Sequence, residues 1–161
     1  MQVTADAARK VLNGELSLST LLNVSRQELA AMAAFAYELW RQGRRQEARK
    51  MFAALVAADG QLYYGHAGLG LVAMQEENFA AAHAHLARAV ELEPADAAVV
   101  VNLGEVLLRL ERLPEALPVL QRAAALDPSL QHPGSARAAA ILIGIGQGVA
   151  DLAQAQALSA K

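Results

Sequence analysis

The chain has 161 residues, about the size of one domain, and 55% of them are hydrophobic, so it has the means to bury a large core. Its formal net charge of -2 excludes the strong basic field that gathers nucleic acid or anionic lipid. It has no cysteine, which excludes disulfides, thiolate metal sites and cysteine nucleophiles and fits a reducing cytosol. Met1 to Lys10 is polar and lacks the apolar core of a signal peptide. No stretch approaches the ~20 uninterrupted apolar residues of a membrane span. The expectation is a cytoplasmic protein with no membrane and no nucleic-acid partner.

Residues 1–28 precede the regular part of the chain. Ala5 to Leu12 reads as a short amphipathic helix stopped by Asn13-Gly14. Leu16 to Val24 reads as a second short helix or turn, with apolar residues at Leu18, Leu21 and Leu22. Ser25 followed by Glu28 is a capping box that opens a longer helix. From Leu29 helices come in pairs. Residues 29–62 hold LAAMAAFAYELWRQ, a break at Gly43, and a helix from Arg45 to Ala58. Residues 63–96 hold YYGHAGLGLVAMQ and FAAAHAHLARAVEL, split near Glu77-Asn78. Residues 97–130 hold AAVVVNLGEVLLRL and PEALPVLQRAAAL. Pro114 sits in a first turn, where a missing N–H costs nothing, and Pro118 lies at or just past that turn. Residues 131–161 form a C-terminal cap, helical from Ser135 to Ala160. Gly144, Gly146 and Gly148 predict a bend or break in it, leaving either one kinked helix or a degenerate fourth pair.

These pairs repeat every 34 residues: Ala36, Gly70 and Gly104; Ala48, Ala82 and Ala116; Phe52, Leu86 and Leu120; Gly60, Pro94 and Pro128. That period is the tetratricopeptide repeat (TPR) period, two antiparallel helices per repeat. The small residues stand where two helices of one repeat cross, and Phe52, Leu86 and Leu120 are expected to fill the space between repeats. Pro94 and Pro128 end second helices, because proline disfavours helix in the residue before it. The fold class is all-α: a TPR superhelix of three tandem repeats with N-terminal helices and a C-terminal capping helix. Such arrays are scaffolds with a concave binding face.

The first helix of each TPR repeat lines that face. The register puts Ala30, Ala33, Tyr37, Trp40 and Arg41 there in repeat one, and Tyr64, Ala67, Leu71, Met74 and Gln75 in repeat two. In repeat three it puts Ala98, Val101, Glu105, Leu108 and Arg109 there. The surface is apolar and partly aromatic, the mark of an interaction site. Groove exposure is favoured over core burial for Tyr37 and Trp40, and Tyr64 over Tyr63; Ala33 and Ala67 are expected to form shallow pockets for larger ligand side chains. Arrays that clamp the carboxylate of heat-shock chaperone tails carry Lys, Asn and Arg on these helices. Here Ala33, Tyr37 and Ala98 replace most of that set and only Asn102 resembles it.

The segment from Leu12 to Leu71 resembles the class II chaperones of type III secretion systems, the LcrH/SycD family. The resemblance rests on the leucine-rich stretch and Val24-Ser25 before the first repeat, on Gly43, Ala48, Phe52 and Leu55, on Asp59, and on Gly68-Leu69-Gly70. It implies a bacterial cytoplasmic chaperone that holds hydrophobic translocator proteins soluble before secretion, an extended translocator segment lying in the groove. It also implies homodimers, often formed through the N-terminal helices. The second reading is a general TPR scaffold or adaptor, unrelated to secretion, that binds a helix.

Other signals are weaker. His83 and His85 are two apart on a helix and point to different faces, and His66 and His132 have no spaced carboxylate partner, so no metal site is expected. Gly144, Gly146 and Gly148 do not make a phosphate-binding glycine loop, since Val149 follows and no strand precedes. Arg41, Arg44, Arg45, Arg49 and Lys50 read as a solvated basic face. No catalytic set and no cofactor motif stands out, so no enzyme and no cofactor are expected.

Overall fold

The computed structural model describes residues 5–159, and their regular elements are all helices. Met1 to Thr4, with Ala160 and Lys161, lie outside the described residues, so the polar start and the last residue of the expected C-terminal helix are not addressed. The chain divides into two compact units, one up to Leu92 and one from Glu93.

The first unit holds α1 (Ala5–Leu12), α2 (Leu18–Leu21), α3 (Arg26–Arg41), α4 (Arg45–Ala58), α5 (Tyr63–Gln75) and α6 (Phe79–Leu92). The capping box is formed: the Glu28 N–H donates to Ser25 Oγ at 3.2 Å, and the Ser25 N–H donates to the Glu28 carboxylate at 2.8 Å. The hydrogen bonds from the Ser25 side chain and backbone hold the Glu28 carboxyl below its usual range. Leu29, Ala33, Ala36, Leu39, Ala48, Phe52, Leu55 and Val72 make the core. Its packing depends on missing side chains. A Cβ on Gly68 would lie 2.3 Å from the ring of Phe52, and one on Gly70 would lie 2.6 Å from Leu86. Gly68 therefore seats α5 on α4, while Gly70 lets α5 and α6 of one hairpin cross closely.

The second unit holds α7 (Ala97–Arg109), α8 (Leu113–Ala125) and α9 (Pro133–Ser159). Asp96 caps α7 by accepting from the N–H groups of Ala98 and Val99. A Cβ on Gly104 would lie 2.6 Å from Leu120. Leu86 and Leu120 thus sit over the glycine of their own hairpin, while Phe52 lies against Gly68 of the next hairpin, between repeats as its column was expected to be. Pro118 lies inside α8, just past its first turn, as expected.

The expected break at Gly144 to Gly148 is absent, since α9 runs unbroken through all three glycines. Its first turns keep the 34-residue register. Ala138 follows Ala36, Gly70 and Gly104 at that spacing and is fully buried. So α9 stands where the first helix of a fourth pair would stand, then continues as a 27-residue helix.

Each hairpin turns by the same device. Gly43, Glu77 and Glu111 are 34 apart, and all three have left-handed backbone, φ 79°, 56° and 59°. The next residue's N–H reaches back over the turn: Arg44 to Leu39, Asn78 to Ala73 and Arg112 to Leu107, each at 2.9 Å. These are Schellman helix ends, and only the first has the glycine that relieves the strain.

Candidate binding surface

In the first unit the register positions fall into three depths. Ala33 and Ala67 are buried, 2% and 1% exposed. They are helix-packing residues, which corrects their expected role as open pockets. Helical register fixes the face a side chain occupies but not how deep a one-carbon side chain sits. Tyr37 and Trp40 are half-buried and pack against the core. The Tyr37 ring meets Phe52 edge-on at 4.9 Å. The indole N–H of Trp40 is buried and makes no hydrogen bond. Both rings thus combine the two roles weighed for them, packed against the core yet partly accessible. Tyr64 is open, 42% exposed, and stacks edge-on with Tyr63 at 5.3 Å. Leu71 and Met74 are half-buried, Ala30 likewise, and Arg41 and Gln75 are exposed.

Further apolar surface in this unit lies outside the register positions. Leu12, Leu22 and Phe35 are 87%, 51% and 56% exposed, with Leu18 and Met32 also open. The basic residues nearby are largely paired at the surface. Arg44 meets Glu47, Arg41 meets Glu38 at 3.5 Å, and Arg49 meets Glu76 at 3.4 Å. Next to the last pair is a cleft of about 220 Å³ lined by Arg49, Ala53, Leu69, Val72, Glu76 and His85 among others.

In the second unit Val101 is fully buried, which likewise removes it from the open lining. Ala98 and Arg109 are exposed, and Leu108 is half-buried. Glu105 is half-buried and engaged by the chain itself: Arg137 of α9 donates to its carboxylate at 2.8 Å. The same guanidinium donates to the side-chain oxygen of buried Asn102. The sequence reading missed this clasp because residues 102, 105 and 137 meet only once α9 lies against α7.

The histidines make a contact that the spacing did not reveal. His66 on α5, read as having no spaced carboxylate partner, has its Nδ1 3.4 Å from Nδ1 of His85 on α6, within hydrogen-bond reach. Burial, and then the neighbouring charge of His66, hold the His85 pKa below its ordinary value. Among the described residues no group of three His, Cys, Asp or Glu side chains could hold a metal, and no helix is long and apolar enough to cross a membrane.

The model of the tetratricopeptide repeat family matches residues 67–130. A search of curated proteins gave no match. Among solved structures, a type III secretion complex from Aeromonas hydrophila is 22% identical; the similarity covers 89% of this chain and 97% of that one, with a TM-score of 0.76. The Yersinia enterocolitica type III secretion translocator chaperone SycD is 21% identical over 80% of this chain and 98% of its own, with a TM-score of 0.69. PcrH, a Pseudomonas aeruginosa protein, in complex with the chaperone binding region of PopB is 22% identical over 73% of this chain and 96% of its own, with a TM-score of 0.64. At these identities the likeness is one of fold. Residues 67–130 carry tetratricopeptide repeats, and the chain has the fold of the type III secretion translocator chaperones that it resembles.

Proposed function

We propose that the protein is a cytoplasmic chaperone of type III secretion that binds an extended segment of a hydrophobic translocator and keeps it soluble before export. The repeat boundaries 29–62, 63–96 and 97–130 are part of this reading. The observation that carries it is the shared fold with SycD and with PcrH bound to its partner's chaperone-binding region, taken with the apolar side chains that the register turns outward.

In the first unit, Tyr37, Trp40, Tyr64, Leu71 and Met74 are the proposed contacts. In the second, Leu108 is, beside a Glu105 already held by Arg137. Exposed ring and thioether edges offer contact to Leu-sized anchors, each worth roughly 1.5–3 kcal/mol when buried. Two or three such anchors suffice for about micromolar affinity. An extended segment stiffened by prolines loses less entropy on binding. Phe35, Leu12, Leu18 and Leu22 offer an apolar surface for a second copy of the chain, in line with the N-terminal dimer reading.

Co-expression with a membrane-active translocator tests the chaperone reading. The expected result is a soluble complex that Tyr64→Ala weakens about tenfold, the equivalent of 1.4 kcal/mol. A translocator that stays insoluble, with no effect of Tyr64→Ala or Trp40→Ala, leaves the general scaffold as the better account. Deleting residues 1–24 is expected to lower the solution mass to that of a monomer; an unchanged mass ends the dimer reading.

A further inference from the structure

The turn that ends α1 carries a reactive pair. Asn13 is followed by Gly14, the only Asn-Gly step in the sequence, and both residues are exposed. A backbone nitrogen that follows asparagine can close a succinimide ring on the side-chain amide carbon, and a Cβ on the following residue obstructs that closure. Gly14 has no Cβ, and no neighbouring atom lies within 4 Å of where one would stand. It borders an open cleft of about 290 Å³ between this turn and the end of α4, so water reaches it. The Asn13 side chain reaches toward the residues that follow, its Nδ2 donating to Glu15 Oε1 at 3.2 Å. The other asparagines are placed differently. Asn23, Asn78 and Asn102 precede Val24, Phe79 and Leu103, all of which carry a Cβ. Asn78 Oδ1 accepts from the N–H of Ala81, and Asn102 is buried and held by Arg137.

We infer that Asn13-Gly14 is a site of spontaneous covalent modification, at which Asn13 is converted to aspartate and isoaspartate and α1 is loosened. The Gly14 nitrogen gives its proton to hydroxide and bonds to Cγ of Asn13. The Cγ–Nδ2 bond breaks, and Nδ2 leaves as ammonia, drawing its proton from water. Water then opens the succinimide at one carbonyl or the other. In sum a water enters and an ammonia leaves, with no oxidation or reduction. The brake is a hydrogen bond: the Gly14 N–H donates to the Val11 carbonyl at 3.0 Å, so the last turn of α1 must open first. That helix has 8 residues and comes close to α2 alone among the described helices, so its opening costs little. The product acts on the same turn. A carboxylate replaces the amide that donated to Glu15, and it stands at the C-terminal end of α1, where the Glu15 charge and the helix dipole both oppose it. In the isoaspartyl form the main chain also gains a carbon. It does so within the turn whose Glu15 and Leu16 N–H groups donate to the Lys10 carbonyl at 2.9 and 3.2 Å. Conversion therefore frees α1 while the core built on α3, α4 and α5 stays packed.

The test keeps the full-length protein in warm, mildly alkaline buffer and samples it over days. Peptide mass analysis is expected to show conversion at residue 13 at least about tenfold faster than at Asn23, Asn78 or Asn102. Isoaspartate, read by enzymatic methylation, should be among the products, and ammonia should be released in step. Asn13→Gln, which would have to close a larger ring, should keep the fold and lose that release. Gly14→Ala should lose it too, although a side chain at φ 73° strains the turn, so the glutamine variant carries the test. Amide hydrogen exchange of the converted protein should rise several-fold in α1 and stay unchanged in α3 to α5. No conversion at residue 13, conversion no faster than at the other asparagines, undiminished ammonia release in Asn13→Gln, or unchanged exchange of α1 after conversion overturns the proposal.

Discussion

The two compact units complete their cores by different means. The first does so chiefly with apolar contact: Phe52 lies against the bare Cα of Gly68, and the Tyr37 ring meets Phe52 at 4.9 Å. It leaves Leu12, Leu22, Phe35 and Tyr64 to solvent. The second recruits its own C-terminal helix. Gly134 of α9 lies against the backbone of Ala97 and Ala98, Ser135 Oγ donates to the Ala123 carbonyl at 2.8 Å, and Arg137 clasps Asn102 and Glu105. Tyr37, Leu71 and Glu105 hold the same place in the 34-residue register. Where the residue is Tyr or Leu it remains accessible in part; where it is Glu the chain satisfies it internally. Unclaimed apolar surface at the register positions is thus mainly a property of the first unit.

The largest effects should come from filling the two close approaches. A methyl at residue 68 would stand 2.3 Å from two ring atoms of a fully buried phenylalanine and 2.5 Å from a third. A methyl at residue 134 would stand 2.7 Å from backbone atoms of Ala97 and Ala98, which yield less readily than a side chain. Gly68→Ala and Gly134→Ala should each cost about 3 kcal/mol, the upper end for overpacking, read by chemical denaturation. Phe52→Leu should cushion Gly68→Ala in a double-mutant cycle and leave Gly134→Ala untouched. An unchanged cost of Gly68→Ala in the Phe52→Leu background would show that the Phe52 ring is not what the added methyl strikes. Next in size is the polar clasp. Arg137→Ala should cost about 1 kcal/mol or less, since half of that side chain faces water, and should act on the second unit alone. A double mutant with Glu105→Ala tests whether the loss is that of the pair.

The helical pairs were legible because their ends carry chemistry. The starts of α4 and α5 and the end of α6 follow directly from Gly43, from Asp59-Gly60 and from Pro94. The glycines of α9 misled, because each costs roughly 1 kcal/mol in helix propensity and no more. Ala138, in register and buried, anchors that helix, and the three glycines meet no neighbouring atoms that would force a bend. Depth was not legible for Ala33, Ala67 and Val101, since periodicity reports direction only. The pairing of His66 with His85 was invisible for another reason: 19 residues and a helical turn separate them, and nothing in a single sequence aligns two faces across a hairpin.

Within that pair, His85 gives the first unit a pH dependence. Burial lowers the His85 pKa from its ordinary 6.5, so below that pH the unfolded chain binds protons that the folded hairpin resists. Stability should be full above about pH 6.5, fall as the pH drops through the window beneath it, and level off below the folded-state pKa. The charged groups that line the cleft with His85 are Arg49 and Glu76, which pair with each other. His85→Gln should flatten the curve; a parent-like slope in that variant assigns the proton uptake elsewhere.

The smallest expected effect is the most direct comparison, because one substitution is available in each unit at equivalent places. Glu77 and Glu111 hold φ of 56° and 59° where Gly43 holds 79°. A side chain in that region costs roughly 1–2 kcal/mol, and glycine gives back roughly 0.5–1 kcal/mol through the greater freedom of the unfolded chain. Glu77→Gly and Glu111→Gly should therefore each stabilise the protein by about 0.5 kcal/mol, and Gly43→Ala should destabilise it by a similar amount. The hydrogen bonds of the turn are backbone ones, at 2.9 Å in all three cases, so none is lost with the side chain. If Glu77→Gly stabilises and Glu111→Gly does not, the glutamate of the second unit has a side-chain role that outweighs its backbone strain. If neither does, the strain is relieved by the Schellman hydrogen bonds themselves, and the glycine of the first turn reflects no difference in stability between the units.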